Sequence, residues 1–157
     1  MRRPGRPGPH SPIGAPDPVE VNVSSDNLTV EEVTQTYVTV DPWDKFRLLR
    51  KVLEQEDPKL AIVFCNTKRN VDKVTRRLHD AGINATAIHG DLMQRKRDRV
   101  MDRFRKHNLH VLVATDLAAR GIDVQGITHI VNYDVPDDTE AYVHRIGRTA
   151  RMGNFGK

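Results

Sequence analysis

The stretch LAIVFCNTKR, residues 60–69, joins a continuous apolar run to a polar and basic loop. The apolar run LAIVFC (60–65) has the length of one strand and no polar alternation, as expected for a strand that helices cover on both faces. Such strands are typical of parallel sheets, in which ligands bind beyond the carboxyl ends of the strands. The stretch therefore predicts an α/β fold and places NTKR (66–69) where function is expected.

The rest of the chain continues this alternation of strands and helices. Val71, Val74 and Leu78 recur at helical spacing, which predicts a helix over 69–81 that stops at Gly82. Further strands are predicted at 84–90, 109–115 and 127–133, and further helices at 92–107 and from about Asp138. This rhythm predicts βαβ units, and hence a mainly parallel central sheet flanked by helices.

A strand and a helix are also predicted before residue 60. The segment VTQTYVTV (33–40) alternates and is rich in β-branched residues, which indicates a half-buried strand. Asp41 is expected to cap a helix with Pro42 at its first position. Three residues at helical spacing give that helix an apolar face: Phe46, Leu49 and Leu53.

The N-terminal residues differ in composition from the rest of the chain. Residues 1–18 contain six of the nine prolines, which predicts a disordered, Pro- and Arg-rich tail or linker. A solvated tail without function is the interpretation that composition favours. We expect an irregular lead-in over 19–32 and one ordered domain from residue 33 to residue 157.

Composition limits the class of protein and its surroundings. The 157 residues include 25 Lys and Arg against 21 Asp and Glu, a net charge of +4 that fits a polyanionic partner without requiring one. The single cysteine, Cys65, excludes an internal disulfide and indicates a reducing compartment. No run approaches the 18 apolar residues of a membrane span. We therefore expect a cytoplasmic protein with no membrane partner.

Polar and basic residues follow each strand of the predicted sheet. The four segments are NTKR (66–69), HGD (89–91) with Gln94 and Arg97 beyond it, TDLAARGID (115–123) and DVPDD (134–138). All four are expected to open onto one edge of the sheet, and three offer phosphate-binding chemistry without metal-ligand spacing. This arrangement predicts an extended polyanion as the ligand and no metal site.

Each of these residues also has an ordinary structural interpretation. Capping of the next helix, taken alone, is the favoured role of Asn66 and Thr67. Gln94 and Arg97 belong to a strongly charged helix, where a solvated face is the default. The same kind of interpretation, as turn formers, structural hydrogen bonds or a small core side chain, applies to Asp116, Asp123, His89, His144 and Cys65. Their convergence on one edge is what favours function.

The segment HRIGRTAR (144–151) sets three arginines at intervals of three residues. Guanidinium groups at this spacing repel one another on a helix unless an anion binds them, and phosphate suits their planar fork. The chain nevertheless contains no GxxxxGK[ST] loop to hold a nucleotide. The arginines therefore lack the phosphate loop that usually accompanies them.

Five segments in order resemble the motifs of one family. IVFCNTKR, HGDLMQRKR, VLVATDLAARGIDV, VNYDVP and YVHRIGRTAR resemble motifs IV, IVa with its QxxR, V, Va and VI of the DEAD-box ATP-dependent RNA helicases. The match runs from about Val33 to Gly153. It implies the C-terminal one of two RecA-like domains, a three-layer sandwich over 33–157, and a domain that is truncated after motif VI.

The resemblance also implies roles for individual residues. Arg145 and Arg148 resemble the catalytic pair that reaches the γ-phosphate of ATP across an interdomain cleft, Arg148 being the better candidate for the arginine finger. Asp123 resembles the residue that binds the ATP ribose. The residues that resemble the RNA-backbone contacts are Asn66, Thr67, Arg69, Gly90, Asp91, Gln94, Arg97 and Thr115. Arg120 and His144 resemble residues that couple the two sites.

The resemblance implies that the active site is divided between two domains. The phosphate loop and the acidic DEAD box belong to the N-terminal RecA-like domain of the family, so ATP and Mg²⁺ would be held mainly there. That domain and the RNA backbone are the implied partners, and this chain alone is expected to be inactive. Ala150 replaces the second glycine of the family pattern HRIGRTGR. The resemblance therefore does not determine the direction of the Arg151 side chain.

Two other functions compete with an ATP-dependent RNA helicase. The first is a stand-alone, non-catalytic RNA-binding module of the same fold, which would have no use for Arg145, Arg148 and Asp123. The second is a DNA-directed helicase domain of the same superfamily. The motif sequences ARGID and HRIGRTAR together favour an RNA helicase over a DNA helicase.

Overall fold

The computed structural model describes residues 33–149 and the backbone of Val19–Glu20. Its strands are β1 (Val19–Glu20), β2 (Thr36–Tyr37), β3 (Ala61–Phe64), β4 (Ala85–Ile88), β5 (Val111–Ala114) and β6 (His129–Asn132). Its helices are α1 (Lys45–Glu56), α2 (Lys68–Asp80), α3 (Gln94–Arg105), α4 (Asp116–Ala119) and α5 (Thr139–Ile146). The elements from α1 onward follow the predicted alternation.

Four of the strands form one parallel sheet in the order β4-β5-β3-β6. The central strand β3 pairs with β5 on one side, Ile62 opposite Leu112, and with β6 on the other, Ile62 opposite Ile130. All four residues of β3 and of β5 are buried, which agrees with their continuous apolar sequences. The predicted parallel α/β sheet is confirmed.

Helices cover both faces of this sheet, so the molecule has three layers. Alternate residues of β3 face opposite sides. Ala61, Val63 and Cys65 pack in a cluster with residues of α1 and α2. Ile62 and Phe64 pack in a second cluster with residues of α3 and α4. The predicted three-layer sandwich is therefore confirmed.

The two central strands lead into helices on opposite faces. The chain leaves β3 towards α2 and leaves β5 towards α4, and these helices contribute to the two different core clusters. Divergence of this kind opens a crevice between the carboxyl ends of neighbouring parallel strands, the usual ligand position in such folds. The residues that follow β3 and β5 are thus placed at the site the topology provides.

The segment before α1 differs from its prediction. Of the strand expected over 33–40, only Thr36–Tyr37 forms a strand, and its partner is Val19–Glu20, in the region expected to be an irregular lead-in. The two-residue partner limits the length of the ladder. The Tyr142 hydroxyl donates a hydrogen bond to Oε1 of Gln35, which ties this segment to α5.

The predicted start of α1 was wrong. The backbone N–H of Asp44 donates to the carbonyl of Asp41 at 2.9 Å, which closes a turn over 41–44 before the helix begins at Lys45. Asp at the first and Pro at the second position suit such a turn as well as they suit a helix cap. The apolar face is confirmed, since Phe46, Leu49 and Leu53 are buried.

Helices α2, α3 and α5 lie within two residues of their predicted starts. Gly82, the predicted stop of α2, follows this helix by two residues and has a φ of +79°, the left-handed conformation common after helix ends. Asp138 caps α5, accepting a hydrogen bond from the N–H of Ala141 at 2.7 Å. The short helix α4 was not predicted, because four residues are too few for a periodic pattern.

Candidate functional site

Arg145 lies at the centre of the crevice and uses all five of its side-chain N–H groups. Its Nε and Nη2 donate to the two carboxylate oxygens of Asp116 at 2.6 and 2.7 Å. Nη1 donates to Oδ1 of Asn132 at 3.0 Å and to the carbonyl of Asp134 at 2.7 Å. Nη2 also donates to Oδ1 of Asn66 at 3.0 Å. This one side chain therefore ties α5 to the carboxyl ends of β3, β5 and β6.

Burial makes these contacts structurally important. The Arg145 side chain is only 1% exposed, whereas Asp116 is 41% exposed. The guanidinium also lies over the ring of Phe64, 4.9 Å from its centroid. A buried cation is tolerated only when it is paired and its hydrogen bonds are satisfied, and both conditions hold here.

Asp134 forms a second junction at the same edge. Its carboxylate accepts from Nζ of Lys45 at 2.8 Å, from the N–H of Asn66 at 3.0 Å and from Nδ2 of Asn70 at 3.1 Å. Burial raises the pKa of Asp134, but these hydrogen bonds outweigh burial and hold the pKa below its ordinary value. The carboxylate thus joins α1, α2 and the loop after β6.

Three of the predicted RNA-backbone residues have their polar groups committed to the protein. Nδ2 of Asn66 donates to the carbonyl of Val135 at 2.9 Å, and its Oδ1 accepts from Arg145. Oγ1 of Thr67 accepts from the N–H of Asn70 at 3.2 Å and so caps α2. Oγ1 of Thr115 accepts from the N–H of Ala118 and caps α4. The capping interpretation is confirmed for Thr67.

Arg97 also contacts protein backbone. Its Nη2 donates to the carbonyl of Ala118 at 2.7 Å and, at 3.5 Å, to that of Arg120. These carbonyls lie at the C-terminal end of α4, where a cation is favourable. Arg97 therefore fixes α4 against α3, a contact that the charged-face interpretation did not include.

The remaining predicted RNA residues are exposed on the same edge. Asp91 forms an ion pair with Nζ of Lys68 at 2.7 Å, and the hydrogen bond from Lys68 lowers the pKa of Asp91. Gln94 donates to Oδ1 of Asp98 at 2.7 Å. Arg69 and Gly90 are exposed, and a Cβ at Gly90 would have open space within 4 Å. A ligand at this edge can reach these groups.

Arg148 and Asp123, the predicted nucleotide-binding residues, lie close to each other. Nη1 of Arg148 donates to the carbonyl of Ile122 at 2.9 Å, the residue that precedes Asp123. Arg148 is partly exposed, and Asp123 is exposed beside an open depression that Arg105 and His107 also line. The structure therefore places Arg148 next to the Ile122–Asp123 segment.

The predicted coupling residues line a small cavity at the Arg145 junction. Arg120 and His144 are exposed, and they share the cavity walls with Asp116, Arg145 and Arg148. The cavity places both residues beside the Arg145 junction. The predicted coupling roles remain a proposal that this position supports.

The predicted phosphate contact of Arg145 would require its present hydrogen bonds to rearrange. A phosphate could bind its guanidinium only if hydrogen bonds to Asp116, Asn66 or Asn132 were broken in a buried site. The Arg145 side chain is 1% exposed and Arg148 is partly exposed, so Arg148 is the more accessible arginine of the pair. Ala150 and Arg151 lie outside the described residues.

Comparisons with known proteins agree with this geometry. The family model for the helicase conserved C-terminal domain matches residues 44–153. The ATP-dependent RNA helicase CshA of Limosilactobacillus reuteri is 47% identical over 140 residues, which cover 89% of this chain and 28% of that protein. The chain belongs to the DEAD-box helicases, as a helicase C-terminal domain.

Solved structures support the same family. The E. coli DEAD-box protein SrmB, bound to the regulator of ribonuclease activity A, is 40% identical with a TM-score of 0.70, covering 74% of this chain and 68% of that chain. S. cerevisiae Dbp5 bound to RNA and ADP BeF3 is 36% identical with a TM-score of 0.67, covering 73% and 31%. The DEAD-box domain described here thus has a RecA-like fold. It spans less than a third of the CshA relative.

The sequence interpretation missed two acidic residues of the DEAD-box domain. Asp116 and Asp134 lie in segments that the sequence places at the functional edge, TDLAARGID and DVPDD, but neither residue is assigned a binding role of its own there. Both follow a strand directly at the edge where function was expected, which is the signal that could have identified them. Neither forms a metal site. Among residues 33–149 no three His, Cys, Asp or Glu side chains converge to hold a metal ion.

The single cysteine of the DEAD-box domain lies in its core. Cys65 is fully buried at the end of β3, in agreement with a core side chain. Burial, with a smaller effect of the Asp134 charge, raises the pKa of its thiol to about 12. Within the described part of the chain, no helix is both long enough and apolar enough to cross a membrane.

Proposed function

We propose that this chain supplies the RNA-backbone contacts and the arginine finger of an ATP-dependent RNA helicase whose active site lies between two RecA-like domains. The observation that carries the proposal is the Arg145 junction, which joins three strand ends to α5. Beyond α5 the chain continues directly to Arg148. A displacement of the loops that meet RNA is thereby transmitted to the arginine proposed to contact phosphate.

The proposed RNA surface is the exposed carboxyl edge of the sheet. Arg69, Gly90, Asp91, Gln94 and Thr115 lie on this edge, and Asn66, Thr67 and Arg97 hold its shape. Contacts through backbone N–H groups, hydroxyls and arginine are directed at the sugar–phosphate chain, so binding tolerates any base sequence and weakens with salt. The RNA in the Dbp5 structure supports RNA as the partner.

The proposed nucleotide surface consists of Arg148 and Asp123. A guanidinium beside the transferred phosphoryl group stabilises the charge of the transition state, and such a finger contributes about 10³- to 10⁵-fold in rate. Asp123 has a carboxylate suited to the hydroxyls of a ribose. ATP and Mg²⁺ would be held mainly by an N-terminal RecA-like domain. Domain closure would bring Arg148 to the phosphate, and His144 and Arg120 would join the two surfaces.

The proposal is tested with Arg148→Ala in the complete protein. RNA-stimulated ATP hydrolysis should fall at least about 10³-fold, while RNA binding measured with an ATP analogue stays within about twofold. Lys73→Ala, which removes an exposed cation from α2, is the control and should leave both unchanged. Retained hydrolysis in Arg148→Ala would falsify the assignment of the finger. Hydrolysis by the 157-residue chain alone would contradict the divided active site.

A further inference from the structure

The exposed side of α3 carries a line of cations that the proposed function does not use. Helix α3 has six Lys and Arg and two Asp, a net charge of +4 that equals the formal net charge of the whole 157-residue chain. Its buried side consists of Val100, Met101 and Phe104, which pack on the sheet. The charge is therefore displayed away from the core.

Five cations of this helix and its end fall on one side. At 100° per residue they occupy an arc of about 100°. These residues, here named the basic stripe, are Arg95, Lys96, Arg99, Arg103 and Lys106. All five are exposed, and the two aspartates of α3 lie outside the arc. Asp102 lies about 20° beyond one border of the arc, so a ligand with many negative charges would meet a positive surface with one acidic border.

The charges of the stripe are largely uncompensated. Lys106 pairs with Asp102 at 2.9 Å. Within residues 33–149, the side chains of Arg95, Lys96, Arg99 and Arg103 form no ion pair or hydrogen bond. Cations of α1, in contrast, pair locally, as Arg50 does with Glu54 at 2.8 Å. Unpaired like charges on one helix face repel one another, so a bound polyanion would stabilise them.

The position of the stripe connects it to the proposed RNA edge. Helix α3 begins at Gln94, which is one of the proposed RNA contacts, and the stripe runs from there about 16 Å along the helix axis. Arg95, Arg99 and Arg103 are spaced about 6 Å apart along that axis. This is comparable to the separation of successive phosphates in an extended strand. The stripe thus continues the path of a strand that leaves the edge.

We infer that the basic stripe of α3 binds the phosphate backbone of RNA next to the segment held at the sheet edge. The inference rests on the proposed function and extends it from the edge to a second surface. Because arginine and lysine would contact phosphates here, binding should be independent of base sequence and sensitive to salt. RNA long enough to reach the stripe should bind more tightly than RNA confined to the edge.

Two double variants of the complete protein test the inference. Arg99→Gln with Arg103→Gln removes two charges from the stripe, and Lys73→Gln with Arg76→Gln removes two exposed charges from α2 on the opposite face of the sheet. Binding is measured with an ATP analogue on the shortest RNA that stimulates ATP hydrolysis and on an RNA extended at both ends. Thermal unfolding of both variants checks that they are folded.

The stripe variant should bind the extended RNA at least several-fold more weakly and lower the slope of log K against log salt by about 1.4, which is about 0.7 for each phosphate contact to a single strand. The short RNA and the α2 variant should be unaffected. Equal affinity of both variants for the extended RNA would overturn the inference alone and leave the stripe to a protein partner or to solvent. A wild-type protein that binds neither RNA would overturn the proposed function as well.

Discussion

Asp116 and Arg145, 29 residues apart, form a two-point ion pair in which the arginine is buried and the aspartate is partly exposed. The pair joins the first residue of α4 to the last turn of α5. Because the remaining N–H groups of Arg145 bind Asn66, Asn132 and Asp134, loss of this pair would loosen the whole carboxyl edge. Stability and function are therefore expected to depend on the same contact.

Replacing Asp116 should destabilise the domain. In Asp116→Ala the buried guanidinium loses its counter-ion and two hydrogen bonds; because Asp116 is partly exposed, we expect the free energy of unfolding to fall by about 2–3 kcal/mol, less than for a fully buried pair. Urea unfolding of the 157-residue chain measures this change. Asp102→Ala, which breaks the exposed pair with Lys106, is the control and should cost less than about 1 kcal/mol. Similar losses in the two variants would contradict a special role for Asp116.

Lysine should not replace Arg145. An ammonium has three donors on one nitrogen and cannot reach acceptors that surround a planar fork, so Arg145→Lys leaves at least two of the five acceptors without a donor. We expect a loss of about 2–4 kcal/mol in urea unfolding. The matched change Arg148→Lys should cost less than about 1 kcal/mol, since Arg148 is partly exposed. If both changes lowered the free energy of unfolding by less than about 1 kcal/mol, the five hydrogen bonds of Arg145 would not be essential for stability.

Much of this arrangement follows from the sequence. Apolar runs such as 60–65 predict buried parallel strands, and the rule that ligands bind at strand ends selects the edge at which Arg145 meets its partners. Asn66 and Thr67 were expected there and are found there. The start of α1 could not be obtained in this way, because Asp41 and Pro42 satisfy the rules for a turn and for a helix cap equally well.

The partners of Arg145 could not be predicted from the sequence. Asp116, Asn132 and Asn66 are widely separated along the chain, and only the strand order β4-β5-β3-β6 brings them to one guanidinium. A motif shows that an arginine is present but not whether it faces a ligand or the core. Arg145 and Arg148 are three residues apart in the same motif, and only the structure shows that the first is buried and the second partly exposed.

Stability should fall in acid through Asp134. The pKa of this carboxyl is lowered in the folded state, so its contribution to stability is fully present above the unfolded pKa, near 3.8, and is lost as the pH falls through the lower folded value. The urea midpoint should therefore drop below about pH 4. In Asp134→Asn the midpoint should be lower at pH 7, and its decline in acid should be shallower. An unchanged decline would assign the acid sensitivity to other carboxylates.

Cys65 should be unreactive in the folded domain. Burial raises the pKa of its thiol to about 12, so at pH 8 the thiolate is scarce and no reagent reaches it. Ellman's reagent should label the native chain far more slowly than the chain in urea, where one thiol per molecule should react at once. Rapid labelling without urea would show that the end of β3 opens readily.

Arg97 offers a choice between a contact to protein and a contact to RNA. Its hydrogen bond to the carbonyl of Ala118 holds α4, and with it Thr115, at the RNA edge. Arg97→Gln should therefore weaken RNA binding by about three- to tenfold, the value of one hydrogen bond, through misplacement of the loop after β5. Because no phosphate contact is lost in this case, the slope of log K against log salt should stay unchanged. A slope lowered by about 0.7 would instead indicate that Arg97 binds a phosphate directly.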